Sequence, residues 1–256
     1  MIQSKLSYLT FISIILILLI NFSDTFAQKK QISPLLIGDE APSFVAQSTD
    51  GEINFPRDYM KKWVIFFSHP GDFTPVCTTE LIEFARMQDE FKKYNCELLG
   101  LSVDVLESHI SWISEIKKIK FNDQDNIKIN FPLISDANRD IAHKYGMIAN
   151  NASSTRTVRA VFIIDPNSII RTILYYPSNT GRNINEILRI LLALQLDDKE
   201  EVVTPANWEP GDNVLVPPSG DPLFDMERFK NHSSEYICPA WFLCYKKLSK
   251  DRALAP

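Results

Sequence analysis

Trp63-Val64-Ile65-Phe66-Phe67 is an unbroken run of large apolar side chains. A short run of this kind predicts a strand buried on both faces, which needs covering layers on either side. Downstream, Leu81, Phe84, Phe91 and Tyr94 fall at roughly helical spacing, so a helix follows the strand. The link between them is His69-Pro70-Gly71-Asp72-Phe73-Thr74-Pro75-Val76-Cys77. Thr is a good helix N-cap and Pro is favoured as the first helical residue, so the helix is expected to start at Pro75 with Cys77 in its first turn. Backbone N–H groups there lack intrahelical partners, and the helix dipole is positive. A thiol so placed is biased toward the thiolate, the nucleophilic form. Position alone leaves a second reading open, a buried structural cysteine that happens to begin a helix.

The rest of the chain alternates in the same way. Glu97 to Val103 and Phe131 to Ile134 read as strands, and so do Val158 to Ile164 and Ile169 to Tyr175. Leu106 to Lys120, Asp136 to Tyr145 and Asn183 to Leu196 read as helices, the second with an Asp cap and Gly146 at its stop. Asp50-Gly51 marks a hairpin turn between Ser43–Thr49 and Glu52–Phe55. Strands alternating with helices predict an α/β domain. From about Thr204 prolines are frequent and periodicity weakens, which separates a smaller C-terminal region.

With 256 residues, 45% of them apolar, the chain can bury a sizeable core. The net charge of −5 and the absence of a basic block argue against nucleic acid as a partner. Four cysteines are too few for a disulfide-rich secreted module, and no Cys/His spacing resembles a zinc site. Residues 1–27 have the form of a secretory signal. Lys5 precedes an apolar run from Leu6 to Ile20, and Thr25-Phe26-Ala27 offers small residues for cleavage after Ala27. An uncleaved signal-anchor is the alternative, although the run is short of the ~20 apolar residues of a membrane span. The sequons at Asn151 and Asn231 support secretion weakly.

Three motifs in order carry a family resemblance: SHPGDFTPVCTTEL around Cys77, YPSNTGRN from Tyr176, and TPANWEPGD from Thr204. They resemble the peroxiredoxins, and the histidine before Pro70 resembles their 1-Cys subfamily in particular. The resemblance runs from about Leu36 to Pro217. It implies a thioredoxin-like fold, a central mixed sheet flanked by helices, over about 34–200, with a C-terminal 1-Cys domain over 204–250. It also implies a thiol-dependent peroxidase with no cofactor and no metal, expected as a homodimer. Members are commonly intracellular, so the leader is a departure, and cytoplasmic residence stays as the alternative to the secretory pathway.

By the same resemblance Cys77 attacks a hydroperoxide, Thr74 donates from its hydroxyl and Pro70 shields the sulfur. Arg159 supplies the cation that the local sequence lacks; without the family it would read as a surface strand-end arginine. Glu80 is expected to pair with an arginine, or else to be a solvated first-turn carboxylate. Arg182 is a site-edge or dimer contact, or a plain surface residue. His69 is a donor near the thiol, or satisfies backbone at the strand end. His109 and His143 read as ordinary helix or surface residues. Thr204 stands where 2-Cys members carry a resolving cysteine, which implies recycling by an external thiol of glutathione or thioredoxin type. Cys238, in Ile237-Cys238-Pro239-Ala240-Trp241, is an alternative resolving thiol, or else pairs with Cys244. Cys96 is expected to be buried and inert. A redox-regulated chaperone or signalling protein on the same fold is the further alternative. The phospholipase serine of some 1-Cys relatives has no counterpart in Tyr59-Met60-Lys61-Lys62-Trp63, and Pro56 stands where its histidine would be.

Overall fold

The structure, a computed structural model, describes residues 34–122, 125–148, 156–231 and 233–248. The leader over 1–27, the sequon at Asn151 and His232 lie outside the described residues. The described residues from Leu35 onward form one compact unit. Seven strands form a mixed sheet: β1 (Phe44–Ser48), β2 (Gly51–Phe55), β3 (Trp63–Ser68), β4 (Cys96–Ser102), β5 (Leu133–Ser135), β6 (Arg159–Ile164) and β7 (Ile170–Tyr176). Their order is β2-β1-β5-β4-β3-β6-β7. β3 pairs in parallel with β4 and antiparallel with β6, so the Trp63–Phe67 run lies inside the sheet.

That position explains the run. Trp63, Ile65 and Phe67 enter one core with α1 (Pro75–Lys93), α2 (Leu106–Ile116) and α4 (Ile184–Glu200). Val64 and Phe66 enter the other, with Phe44, Phe55, Tyr145 and Phe162. Because side chains alternate across a strand, a strand covered on both faces is apolar at nearly every position. The same alternation in β6 sends Val161 and Ile163 to the α1 side, and with them Arg159.

Two helix limits differ from expectation. α2 stops at Ile116, where Lys118 N and Ile119 N donate to Glu115 O and Ile116 O, so the Lys-rich end is a tight turn outside the helix. The helix expected from Asp136 is only α3 (Asp140–Lys144). The Asp136 carboxylate still accepts from Ile141 N and Ala142 N, but Arg139 between them is left-handed, with φ 66°. Gly146 ends α3 with φ 64°, a conformation glycine adopts without a Cβ penalty.

The C-terminal region holds β8 (Val214–Leu215), α5 (Pro222–Lys230), β9 (Tyr236–Ala240) and β10 (Leu243–Lys246), the strands forming a small sheet of order β8-β10-β9. Trp208, Val214 and Leu248 pack on Leu192 and Leu196 of α4. Cys238 is bonded to Cys244 across β9 and β10.

Candidate active site

β3 ends at Ser68, and the chain passes through buried His69, Pro70, Gly71 and Asp72 into α1. Pro75 is the first helical residue, as expected. Thr78 N donates to Thr74 O as the first intrahelical bond, so the Val76 and Cys77 N–H groups have no helical partner. Cys77 is 1% exposed. Thr74 occupies the N-cap position but makes no side-chain cap bond; its hydroxyl donates to Gly71 O at 2.8 Å. The expected donation from Thr74, to the thiolate or a peroxide oxygen, is replaced here by this bond to Gly71 O.

Arg159 reaches Cys77 from β6, 82 positions along the chain. Its Nη1 lies 3.3 Å from Sγ and 2.7 Å from Glu80 Oε2, while Nε and Nη2 donate to Ser178 O at 3.2 and 2.6 Å. A guanidinium bound at three corners has little rotational freedom and holds its charge against the sulfur. It is 2% exposed, which rules out the surface strand-end reading.

Glu80 lies one turn along α1 from Cys77, and Arg182 closes around it. Arg182 donates from its backbone N and Nε to Oε1 at 2.8 and 2.9 Å, and from Nη2 to Oε2 at 2.7 Å. Its Nη1 bonds Ser68 O and Ala160 O, both at 3.0 Å. Neither the solvated reading of Glu80 nor the surface reading of Arg182 holds, since both are buried. Burial pushes the Glu80 carboxyl up, but the charge and hydrogen bonds of Arg182, with the Arg159 charge, outweigh it and hold it below the usual range. One carboxylate thus balances two guanidiniums, and the net positive charge faces Cys77.

His69 is 2% exposed and its Nε2 is 2.9 Å from Asp72 Oδ1. A carboxylate oxygen only accepts, so His69 spends its proton on Asp72. His69 is thus not placed as a donor to sulfur through that nitrogen. Asp72 also meets His109 Nδ1 at 3.0 and 2.8 Å, and His109 Nε2 meets Ile134 O at 3.1 Å. Reading His109 as an ordinary helix residue was wrong: it is fully buried. Its signal in the sequence was an isolated polar residue on the apolar face of a helix, and its partner Asp72 is 37 positions away. The trio has metal-ligand chemistry, with its donor atoms all within 4.8 Å of one another. Ligands of a tetrahedral zinc at ~2.0–2.1 Å are separated by roughly 3.3 Å. The separations of 2.8 to 3.0 Å from Asp72 instead suit shared protons.

Cys96 lies at the head of β4, 2% exposed, and burial pushes its thiol well above the ordinary range. It is a buried core residue, as expected. Cys238 has its sulfur engaged with Cys244.

Residues 37–173 match the AhpC/TSA family, and residues 193–223 match the C-terminal domain of 1-Cys peroxiredoxin. A peroxiredoxin of Methanosarcina mazei is 54% identical over 213 residues, which cover 83% of this chain and 97% of that protein. Among solved structures, a yeast mitochondrial 1-Cys peroxiredoxin is 43% identical with a TM-score of 0.72, covering 84% of this chain and all of that one. Peroxiredoxin 6 of Arenicola marina has the same TM-score at 35% identity, covering 83% and 98%. With a buried thiol at a helix start, a guanidinium against it and relatives along most of its length, the chain belongs to the AhpC/TSA family as a 1-Cys peroxiredoxin, a thiol-dependent peroxidase.

Proposed function

We propose that Cys77 is the peroxidatic nucleophile and that its oxidised form is recycled by an external thiol. The 3.3 Å contact of Arg159 with Sγ carries this reading. The guanidinium stabilises negative charge on sulfur and then the charge that develops on the departing oxygen. The thiolate attacks the terminal oxygen of a hydroperoxide, the O–O bond breaks, and the departing oxygen takes a proton as water or alcohol. Sulfur is left as a sulfenic acid, Cys–S–OH. A thiol of glutathione or thioredoxin type then forms a mixed disulfide with Cys77 and releases water, and a second thiol frees Cys77. Pro70 walls the sulfur from bulk water, and Thr74 turns its hydroxyl from Gly71 O to the peroxide when one binds. The Cys238–Cys244 bond and the threonine at 204 favour external over internal resolution. The homologous yeast protein is described with glutathione/thioredoxin systems, which agrees with that class of reductant. The working form is a homodimer, and the leader directs it to the secretory pathway.

Stopped-flow consumption of hydrogen peroxide with glutathione or thioredoxin as reductant tests this reading. Cys77→Ser is expected to lose all turnover. Turnover surviving that substitution would overturn the assignment. A Cys77–Cys238 crosslink on non-reducing gels after one equivalent of peroxide would overturn external recycling.

A further inference from the structure

We propose that Asp72 and His109 are positioning residues for the peroxidase reaction, a buried couple that keeps the shared proton on His109 and leaves His69 with a bare Nδ1. Both ring nitrogens of His109 face pure acceptors, the Asp72 carboxylate and the Ile134 carbonyl. Each of those contacts needs a hydrogen on nitrogen, so His109 carries two and is an imidazolium. His69 contributes one N–H, from Nε2 to the same carboxylate. Its Nδ1 is buried and has no hydrogen-bond partner among the described residues. Leaving a buried acceptor unmade is costly, and the fold carries that cost in the turn between β3 and α1.

The charges around His69 agree with that state. Asp72 and Asp104 are anionic neighbours, with Asp104 Oδ2 accepting from Asp72 N at 2.9 Å. Arg182 bonds the adjacent Ser68 carbonyl, and the Arg156 side chain lies against Gly71. Burial holds His69 below its ordinary range despite Asp72, and the charges of His109 and Arg182 push the same way. Burial would raise the Asp72 carboxyl, but its bonds to His109 and His69 hold it far below the usual range. A second proton on the His69–Asp72 arm is thus disfavoured from both sides.

The site lies next to the sulfur through shared neighbours. The His69 ring is 5.2 Å from the Trp112 ring, and Trp112 Nε1 donates to Thr78 Oγ1, beside Cys77. Arg182 links Ser68 to Glu80, which holds Arg159 on Sγ. A cationic His69 would repel Arg182, whose charge already acts on that ring, and would so loosen the Glu80 clasp that holds Arg159 on Sγ.

Histidine ¹⁵N NMR of the full-length protein, reduced and between pH 6 and 8, tests the proton assignment without any variant. The expected spectrum shows His109 with two protonated nitrogens and His69 with Nε2 protonated and Nδ1 bare. A bare nitrogen on His109 or a cationic His69 would overturn the proposal. So would one zinc per chain in the purified protein. In His109→Leu the carboxylate loses its cation, and the proton is expected to move to His69. The rate of Cys77 oxidation by peroxide at pH 7 is then expected to fall about tenfold. Asp72→Asn added to His109→Leu removes the charge and is expected to restore both a neutral His69 and most of the rate. An unchanged rate in the single variant, or no recovery in the double, would overturn the positioning role. This kinetic arm rests on Cys77 as nucleophile, whereas the spectrum does not; Cys77→Ser would lose turnover yet keep the same histidine spectrum.

Discussion

At the residue scale the site is a charge problem solved by three buried side chains. Glu80 alone in the first turns of α1 would oppose a thiolate. Arg182 and Arg159 reverse that, and Arg182 takes the backbone-binding role, with Nη1 on two carbonyls. Arg159 is left to meet both Glu80 and Sγ with one nitrogen. A lysine at 159 keeps the charge but cannot bind Glu80, Ser178 and sulfur from one plane. Arg159→Lys is therefore expected to lower the rate of peroxide reduction by about 10²–10³, the usual cost of a misplaced charge donor. The check is stopped-flow oxidation of Cys77, and retention of more than half the rate would show that charge alone suffices. Cys77 stood out as a candidate because it sits inside a motif, whereas Arg159 came only through the family resemblance, since alone it reads as a surface strand-end arginine. The Glu80–Arg182 pair was half legible, since a carboxylate beside a catalytic thiol needs a cation, but nothing local shows which. His109 and Asp72 were not legible, because their pairing exists only once the β3–α1 turn and α2 are neighbours in space.

At the element scale the strands were the easiest part to read and the helix ends the hardest. β3 announces itself because a strand covered on both faces carries a polar side chain only where a hydrogen-bond partner meets it, as at Ser68 at its end. The expected Asp50-Gly51 turn is shifted by one residue: Ser48 pairs with Gly51, so Thr49 and Asp50 form the loop and Gly51, at φ 102°, opens β2. α3 was overcalled because an Asp that caps a helix from five and six residues back looks the same in sequence as one at its start. β4 carries a feature that the apolar pattern hid. A Cβ on Gly100 would lie 2.5 Å from Leu133 Cδ2 and 3.1 Å from Phe67 Cζ. Both atoms are the tips of fully buried side chains in one packed core, so relief needs rotamer shifts against their own neighbours. Gly100→Ala is expected to destabilise the fold by about 1–3 kcal/mol, as overpacking does. Denaturant unfolding measures it, and an unchanged midpoint would mean that this layer has slack.

At the scale of the whole molecule the C-terminal region is joined to the peroxidase domain through α4. Trp208 and Val214 are buried against α4, so this region extends the core rather than hanging from it. Arg189 of α4 adds a bond from Nη1 to Trp208 O at 3.1 Å. Beyond Val214 the cover is thinner, with Leu223, Phe224 and Phe242 more than half exposed. Here the hairpin of β9 and β10 is closed by Cys238–Cys244 over a separation of six residues. A loop that short is restricted by a disulfide to the extent of about 2 kcal/mol in the chain-entropy account. Such a bond persists in oxidising compartments and is reduced in the cytosol, which makes it a test of the proposed secretory residence. Cys77 and Cys96 are the free thiols among the described residues. Protein recovered from the secretory pathway is therefore expected to begin at Gln28. Unfolded without reductant it should titrate two thiols, and after reduction four. Four thiols without reductant, on a chain from the cytosol that keeps Met1, would place this peroxidase inside the cell and leave β9 and β10 joined by hydrogen bonds alone.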